Sequence, residues 1–201
     1  LKEHQEIKDI LAYLKLIANP KDDNAFRRII NYPKRSIGNV SLQKLEEYCY
    51  AENISLFDGL FRNEFLDSVS KKLRTEFENF RDMIFGFITC VEDTEVEILI
   101  KELLDSIKFV DYLRENEKKE FEKKAENINL FLEEISNSYK GIKLLEYLET
   151  NSLLSDIDKT EDLDDTVTLT TIHSAKGLEY KVVFIIGMNE GIFPSERSIK
   201  E

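Results

Sequence analysis

Apolar residues recur every three to four positions through most of the chain, and this helical spacing constrains the fold more than any other feature. In residues 3–18, one helix face carries Ile7, Ile10, Leu11, Leu14 and Ile17. Asn19-Pro20 then ends the segment, because the residue before a proline disfavours helical geometry. Only 3 Pro and 7 Gly occur among 201 residues, so little interrupts such helices. The sequence therefore predicts a mainly α-helical protein.

The same spacing predicts eight further helical segments. They cover residues 22–31, 41–52, 56–61, 69–91, 95–107, 109–113, 118–139 and 142–148. Asp22 or Asp23, and later Ser55, stand where N-cap side chains are expected. Residues 156–165 are mostly acidic, and we interpret them as a solvated linker.

The helical spacing gives way to strand-like patterns near the end of the chain. Residues 166–172, TVTLTTI, are β-branched and alternate with a period of two. Residues 182–187, VVFIIG, form an apolar run typical of a strand buried in a parallel sheet. The stretch between them is too long for a tight hairpin and can hold a turn of helix. We therefore expect a small α/β portion after the helical body.

The charges are unevenly distributed. The net charge of −12 argues against polyanion binding over the whole surface. Residues 24–44 nevertheless contain five bases and no acid, which leaves −17 for the rest of the chain. The bases of this basic island are Arg27, Arg28, Lys34, Arg35 and Lys44. The island suits a protein that contacts phosphates at one place, although such islands also arise by chance on charged helical proteins.

Neither secretion nor a structural metal is indicated. Cys49 and Cys90 lie in apolar helical patterns without a CxxC pair, which is typical of buried small side chains. The sequence shows no leader and no apolar run long enough to span a bilayer, so we expect a cytoplasmic protein. It starts at Leu1 and stops in a charged run, which we interpret as a piece of a longer protein.

The last part of the chain carries a dense set of motif positions. They are Thr171, His173, Ser174, Ala175, Lys176, Gly177, Leu178, Glu179 and Tyr180, followed by Gly187, Met188, Glu190, Gly191, Phe193 and Pro194. This block resembles motif V of the UvrD/PcrA/Rep-type helicases of superfamily 1, which reads T-x-H-[SA]-A-K-G-L-E-[FY], a buried strand and G-M-x-E-G-x-F-P. The resemblance implies an internal fragment of such a DNA helicase.

The start of the chain is similar to the same family. The matching positions are Glu6-Ile7-Lys8-Asp9, Asn19-Pro20, Asp22-Asp23, Arg28-Ile29-Ile30-Asn31 and Pro33. In the family this segment leads from the RecA-like domain 2A into the inserted helical domain 2B. The resemblance thus implies three parts: residues 1–21 end the first part of 2A, residues 22–163 form 2B, and residues 164–201 return into 2A.

The resemblance also assigns ligand contacts to the loop after residues 166–172. Open α/β sheets place ligands at the carboxyl ends of their strands, and a glycine there lets the backbone approach a phosphate. His173, Ser174 and Lys176 are implied to contact the backbone of single-stranded DNA. Glu179 and Gly177 are implied to contact ATP, with Glu179 at the ribose. Without the resemblance, ordinary strand-end and surface roles would explain these side chains.

Residues 33–38, PKRSIG, lie between two predicted helices and read as a helix-hairpin-helix. Lys34, Arg35 and the backbone N–H groups from Ile37 through Gly38 to Asn39 are the expected contacts to a duplex phosphate. The family usually shows G-I-G where this chain has Ser36-Ile37-Gly38, so we expect Ser36 to restrict the backbone or crowd the phosphate, although its hydroxyl can also donate a hydrogen bond. A simple interhelical turn is the alternative.

For the parent protein, the resemblance implies ATP-driven translocation from 3′ to 5′ and unwinding of DNA, with ATP and magnesium as cofactors. Its partners are DNA and the other helicase domains of the same chain. The nucleotide P-loop pattern G-x-x-x-x-G-K-[ST] does not occur here. We therefore predict no catalytic or metal-binding residue and no hydrolysis by the fragment alone. The alternative function is a non-enzymatic helical module that binds proteins or regulates the motor.

Overall fold

The structure, a computed structural model, describes residues 1–158, 170, 175, 179 and 182–186, with side chains described to residue 151 in the continuous part. The chain divides into two compact units, Leu1–Lys159 and Thr160–Glu201. Every regular element described in the first unit is a helix, which confirms the prediction of a mainly α-helical protein.

Ten helices make up the described part of the chain. They are α1 (Gln5–Ala18), α2 (Asp23–Ile29), α3 (Asn39–Glu52), α4 (Leu56–Gly59), α5 (Asn63–Asp67), α6 (Lys71–Cys90), α7 (Val96–Ser106), α8 (Phe109–Asn116), α9 (Phe121–Ser138) and α10 (Leu144–Asp158). None of these helices has the length and apolar character that a membrane crossing would need.

Side-chain caps fix several helix starts. Asp22 accepts a hydrogen bond from the backbone N–H of Ala25 at 2.9 Å, which confirms the predicted cap of α2. Ser55 accepts from the N–H of Asp58 at 3.2 Å, as predicted for α4. Ser70 does the same at the start of α6, with the N–H of Leu73 at 3.3 Å.

Two helical segments differ from the prediction. The single-turn helix α5 was not anticipated, because five residues are too few to show a helical period, and burial of Phe65 and Leu66 holds it in place. Helix α10 was expected to stop at residue 148 but continues to Asp158. The first residues of the predicted acidic linker are therefore helical, and the rest of that linker lies outside the described residues.

Helix α1 lies at the centre of the first unit and packs against α2, α6, α9 and α10. Its fully buried side chains are Ile7, Ile10, Tyr13, Leu14 and Leu16. Burying such a stripe stabilises a domain by about 1.5 to 3 kcal/mol per large apolar side chain. Residues 1–21, which the resemblance assigns to a different domain from residues 22–163, therefore belong to the same compact unit as the helices that follow.

The α/β portion is not observed among the described residues. Val182 to Ile186 were predicted to form a buried strand, but these five residues form no strand and are 55% to 85% exposed. A strand requires a neighbouring strand to satisfy its backbone hydrogen bonds, and none of the described residues supplies one. Of the predicted strand at 166–172, only residue 170 is described, and it is exposed.

Candidate nucleic-acid interface

The hairpin between α2 and α3 is organised by one side chain. The amide oxygen of Asn31 accepts hydrogen bonds from the backbone N–H of Arg35 at 2.8 Å and of Ile37 at 3.2 Å. The Ile37 side chain, 2% exposed, anchors the loop in the core. Ser36, between these two residues, takes a left-handed backbone with φ of 60°. The loop is therefore held in one conformation that turns Ser36 outward.

The guanidinium of Arg35 points into the protein and binds backbone carbonyls. Its Nη1 donates to the carbonyl oxygens of Ile29 at 2.8 Å, Ile30 at 3.2 Å and Pro33 at 3.2 Å. Two of these acceptors lie at the end of α2, where helix carbonyls lack partners within the helix. Arg35 thus links the end of α2 to the hairpin.

Aromatic groups complete the site around Arg35. Its Nη2 donates to the hydroxyl of Tyr13, which in turn donates to the carbonyl of Tyr32 at 2.7 Å. The guanidinium carbon lies 5.1 Å from the ring centroid of Phe80 and 5.8 Å from that of Tyr13. Burial raises the pKa of Tyr13 to about 12, so its hydroxyl stays protonated at neutral pH. These contacts hold the Arg35 cation from inside, so its observed role is to shape the loop.

Two more bases of the basic island are neutralised by acids that are distant in sequence. Arg27 Nε lies 2.5 Å from a carboxylate oxygen of Glu46. Arg28 Nε lies 2.7 Å from Asp9, whose pKa is raised by burial even though Arg28 acts in the opposite direction. Lys34 and Lys44 are exposed and have no ion pair among the described residues. The five-base island therefore offers two free cations.

The start of α3 leaves backbone donors open. Gly38 occupies the N-cap position, so no side chain caps the helix, and its first turn carries no acid. The N–H groups of a first helical turn have no acceptor within the helix and attract anions. Gly38, Asn39 and Val40 are exposed. Of the three predicted backbone contacts, the N–H of Ile37 is already bound to Asn31, which leaves those of Gly38 and Asn39.

Two grooves open beside the hairpin, and both are lined by Glu76. A groove of about 200 Å³ is lined by Ser36, Ser41, Ser70, Lys72, Leu73 and Glu76. A groove of about 350 Å³ is lined by residues that include Lys34, Glu76, Asn79, Phe80, Met83 and Lys108. Sequence reasoning did not find Lys72 and Lys108, because nothing local relates them to the hairpin.

An ion-pair cluster supports the hairpin from α8 and α9. The Tyr32 hydroxyl donates to Glu117 at 2.7 Å, and Lys124 pairs with the same carboxylate. Burial acts to raise the pKa of Glu117, but the hydrogen bonds from Lys124 and Tyr32 bring it below its ordinary value. Burial likewise acts to lower the pKa of Lys124, yet its bond to Glu117 raises it above the ordinary value. Both groups are therefore charged at neutral pH.

The predicted motif V contacts fall mostly outside this description. His173, Ser174, Lys176 and Gly177 lie outside the described residues, whereas Glu179 is described and exposed. The predictions for these five residues stay predictions. Within the described part of the chain, no group of three or more His, Cys, Asp and Glu side chains could hold a metal ion.

Comparison with known proteins gives consistent matches. Residues 2–201 match the family described as UvrD-like helicase C-terminal domain. The chain is 36% identical over 208 residues to the ATP-dependent DNA helicase PcrA of Bacillus subtilis, covering 99% of this chain and 28% of that protein. It is 39% identical over 203 residues to the proteins of the same name from Staphylococcus aureus and Staphylococcus epidermidis, covering 98% of this chain. The chain spans 28% of the length of these relatives.

Proposed function

The chain belongs to the UvrD-like helicase C-terminal domain family, and from that premise we propose that it is a segment of an ATP-dependent DNA helicase of the UvrD/PcrA type. The names of its relatives support this activity for the parent protein. The parent would move along single-stranded DNA from 3′ to 5′ in the cytoplasm and unwind the duplex ahead, with ATP and magnesium as its cofactors.

Within that protein, we assign residues 22–163 to the helical domain 2B and residues 1–21 and 164–201 to the RecA-like domain 2A. The family motifs at both ends of the chain support this division, and the helices described between residues 22 and 158 suit a helical 2B domain. The α/β portion near the C-terminal end would then be one edge of the parallel sheet of 2A. Because the catalytic P-loop pattern is not in this sequence, we expect no ATP hydrolysis by the chain on its own.

We assign duplex contact to the hairpin. The observation that carries this assignment is the coincidence of an exposed, unpaired Lys34 with the uncapped first turn of α3 at Gly38 and Asn39. A phosphate can accept hydrogen bonds from such N–H groups while the lysine neutralises its charge. Arg35 holds the loop that presents them. Contacts of this kind fix the position of a duplex but read no bases.

The motif V residues receive the remaining roles on the strength of the family match. His173, Ser174 and Lys176 would contact the backbone of the single strand. Gly177 would let the chain approach the nucleotide, and Glu179 would accept a hydrogen bond from the ATP ribose. The exposed position of Glu179 leaves its carboxylate accessible to such a ligand.

Fluorescence anisotropy of the chain with a labelled duplex of about 20 base pairs tests the hairpin assignment. Reversing the charge at Lys34 with Lys34→Glu should weaken binding, while Lys118→Glu, at an exposed lysine on the α8–α9 connection, should not. With two or three phosphates contacted, log affinity should fall with log salt at a slope of roughly −2 to −3. Equal losses from both reversals would indicate diffuse attraction and refute a hairpin site.

A further inference from the structure

The two grooves beside the hairpin connect it to parts of the chain that are far away in sequence. The smaller groove brings Ser36 of the hairpin next to Lys72, in the first turn of α6. The larger groove brings Lys34 next to Lys108, which immediately precedes α8. Because Glu76 lines both grooves, they are neighbours, and the three lysines lie along these two grooves.

These three lysines are free to bind an anion. Lys34, Lys72 and Lys108 are all exposed, and none has an ion pair within the described part of the chain. Arg74, two residues after Lys72, pairs with both Asp67 and Glu78, whereas Lys71 is exposed and has no ion pair among the described residues but lines neither groove. Unpaired surface lysines also occur elsewhere, for example at Lys118, but that lysine does not line a groove shared with the hairpin.

The smaller groove adds uncharged donors to the same region. It is lined by Ser36, by Ser41 in the first turn of α3 and by Ser70 at the start of α6. Serine hydroxyls donate hydrogen bonds to phosphate oxygens without reading sequence. The region therefore combines point charges and neutral donors, a set suited to a sugar-phosphate backbone.

We propose that the duplex-binding surface extends from the hairpin across both grooves to Lys72 and Lys108, so that Lys34, Lys72 and Lys108 each contact a phosphate of duplex DNA. This proposal rests on the proposed function of the hairpin and adds two residues to its site. Glu76, an acid that lines both grooves, repels phosphate and keeps each contact weak. A weak contact is what a protein needs when it must release the duplex as it advances.

Neutral substitutions test the extension through the salt dependence of binding. Lys34→Gln, Lys72→Gln and Lys108→Gln are compared with Lys118→Gln as the matched control, using a labelled 20-base-pair duplex of arbitrary sequence and a single strand of equal length. Each of the first three should make the salt slope less negative by about 0.9. At about 0.1 M salt, that change corresponds to a roughly eightfold loss of affinity. Glu76→Gln should tighten duplex binding.

The outcomes separate this inference from the function on which it rests. If Lys34→Gln weakens binding while Lys72→Gln and Lys108→Gln behave like Lys118→Gln, the extension is wrong and the hairpin site stands. If none of the three differs from the control, both proposals fail. If the three losses appear with the single strand and not with the duplex, the assignment to duplex DNA is wrong. The four lysines are exposed, so unchanged thermal melting should accompany each lysine variant, and the melting of Glu76→Gln, at a half-buried site, is measured alongside them.

Discussion

Replacing Arg35 by alanine should destabilise the protein although Arg35 belongs to a basic, partly exposed hairpin. The guanidinium bonds three backbone carbonyls and the Tyr13 hydroxyl, and it contacts two aromatic rings. For the carbonyls of Ile30 and Pro33, Arg35 is the only donor within the described residues. The alanine variant would leave both without that donor.

The size of the effect follows from these contacts. A hydrogen bond to a charged group contributes about 1.5 to 3 kcal/mol, but water can replace part of it at a half-buried site. A cation over an aromatic ring adds about 0.5 to 1 kcal/mol at such a site. Together they suggest a loss of about 2 to 4 kcal/mol. For a unit of this size, that loss lowers the melting temperature by about 4 to 16 °C.

Thermal melting followed by circular dichroism checks this value, with Lys34→Ala as the neighbouring control. Lys34 is exposed and unpaired, so its loss should change stability by less than about 0.5 kcal/mol. Arg35→Lys keeps the charge but loses the planar fork, and we expect it to recover less than half of the stability. If Arg35→Ala and Lys34→Ala have the same melting temperature, and Arg35→Ala changes only the salt slope of duplex binding, then Arg35 contacts phosphate and the reasoning is wrong.

Three further predictions concern the core and its ion pairs. Gly59→Ala should lower the free energy of unfolding, measured by chemical denaturation, by about 1 to 3 kcal/mol, because the added Cβ would collide with the Cys49 sulfur. Gly86→Ala, where the added Cβ meets open space, should instead stabilise α6 by up to about 1 kcal/mol. Tyr147→Phe should be neutral or stabilising, since it removes a buried hydroxyl that has no hydrogen-bond partner among the described residues, and a loss above about 1 kcal/mol would contradict this. The lowered pKa of Glu117 gives stability that is present above its ordinary value of 4.5 and is lost as the pH falls through its folded value. Glu117→Gln should therefore lose less stability than the wild type between about pH 5 and pH 3. An equal fall in melting temperature for both proteins over this range would contradict the assignment.

Local patterns in the sequence determined most of the helices. The stripe of Ile7, Ile10, Leu14 and Ile17 predicted α1, and Asp22 and Ser55 marked the starts of α2 and α4. Spacing and capping act within a few residues, so they can be read without knowledge of the fold. Helix α5 was not predicted, because burial of its side chains, rather than a repeating sequence pattern, stabilises its single turn.

The sequence also located the hairpin, since PKRSIG and the basic island coincide there, but it did not determine which cations are free. Glu46 and Asp9, both outside the island, neutralise Arg27 and Arg28. The Arg35 side chain points inward to the end of α2. Lys72 in α6 and Lys108 just before α8 lie beside the hairpin. A charge is free or paired according to its neighbours in space, and that neighbourhood is created only when the helices pack.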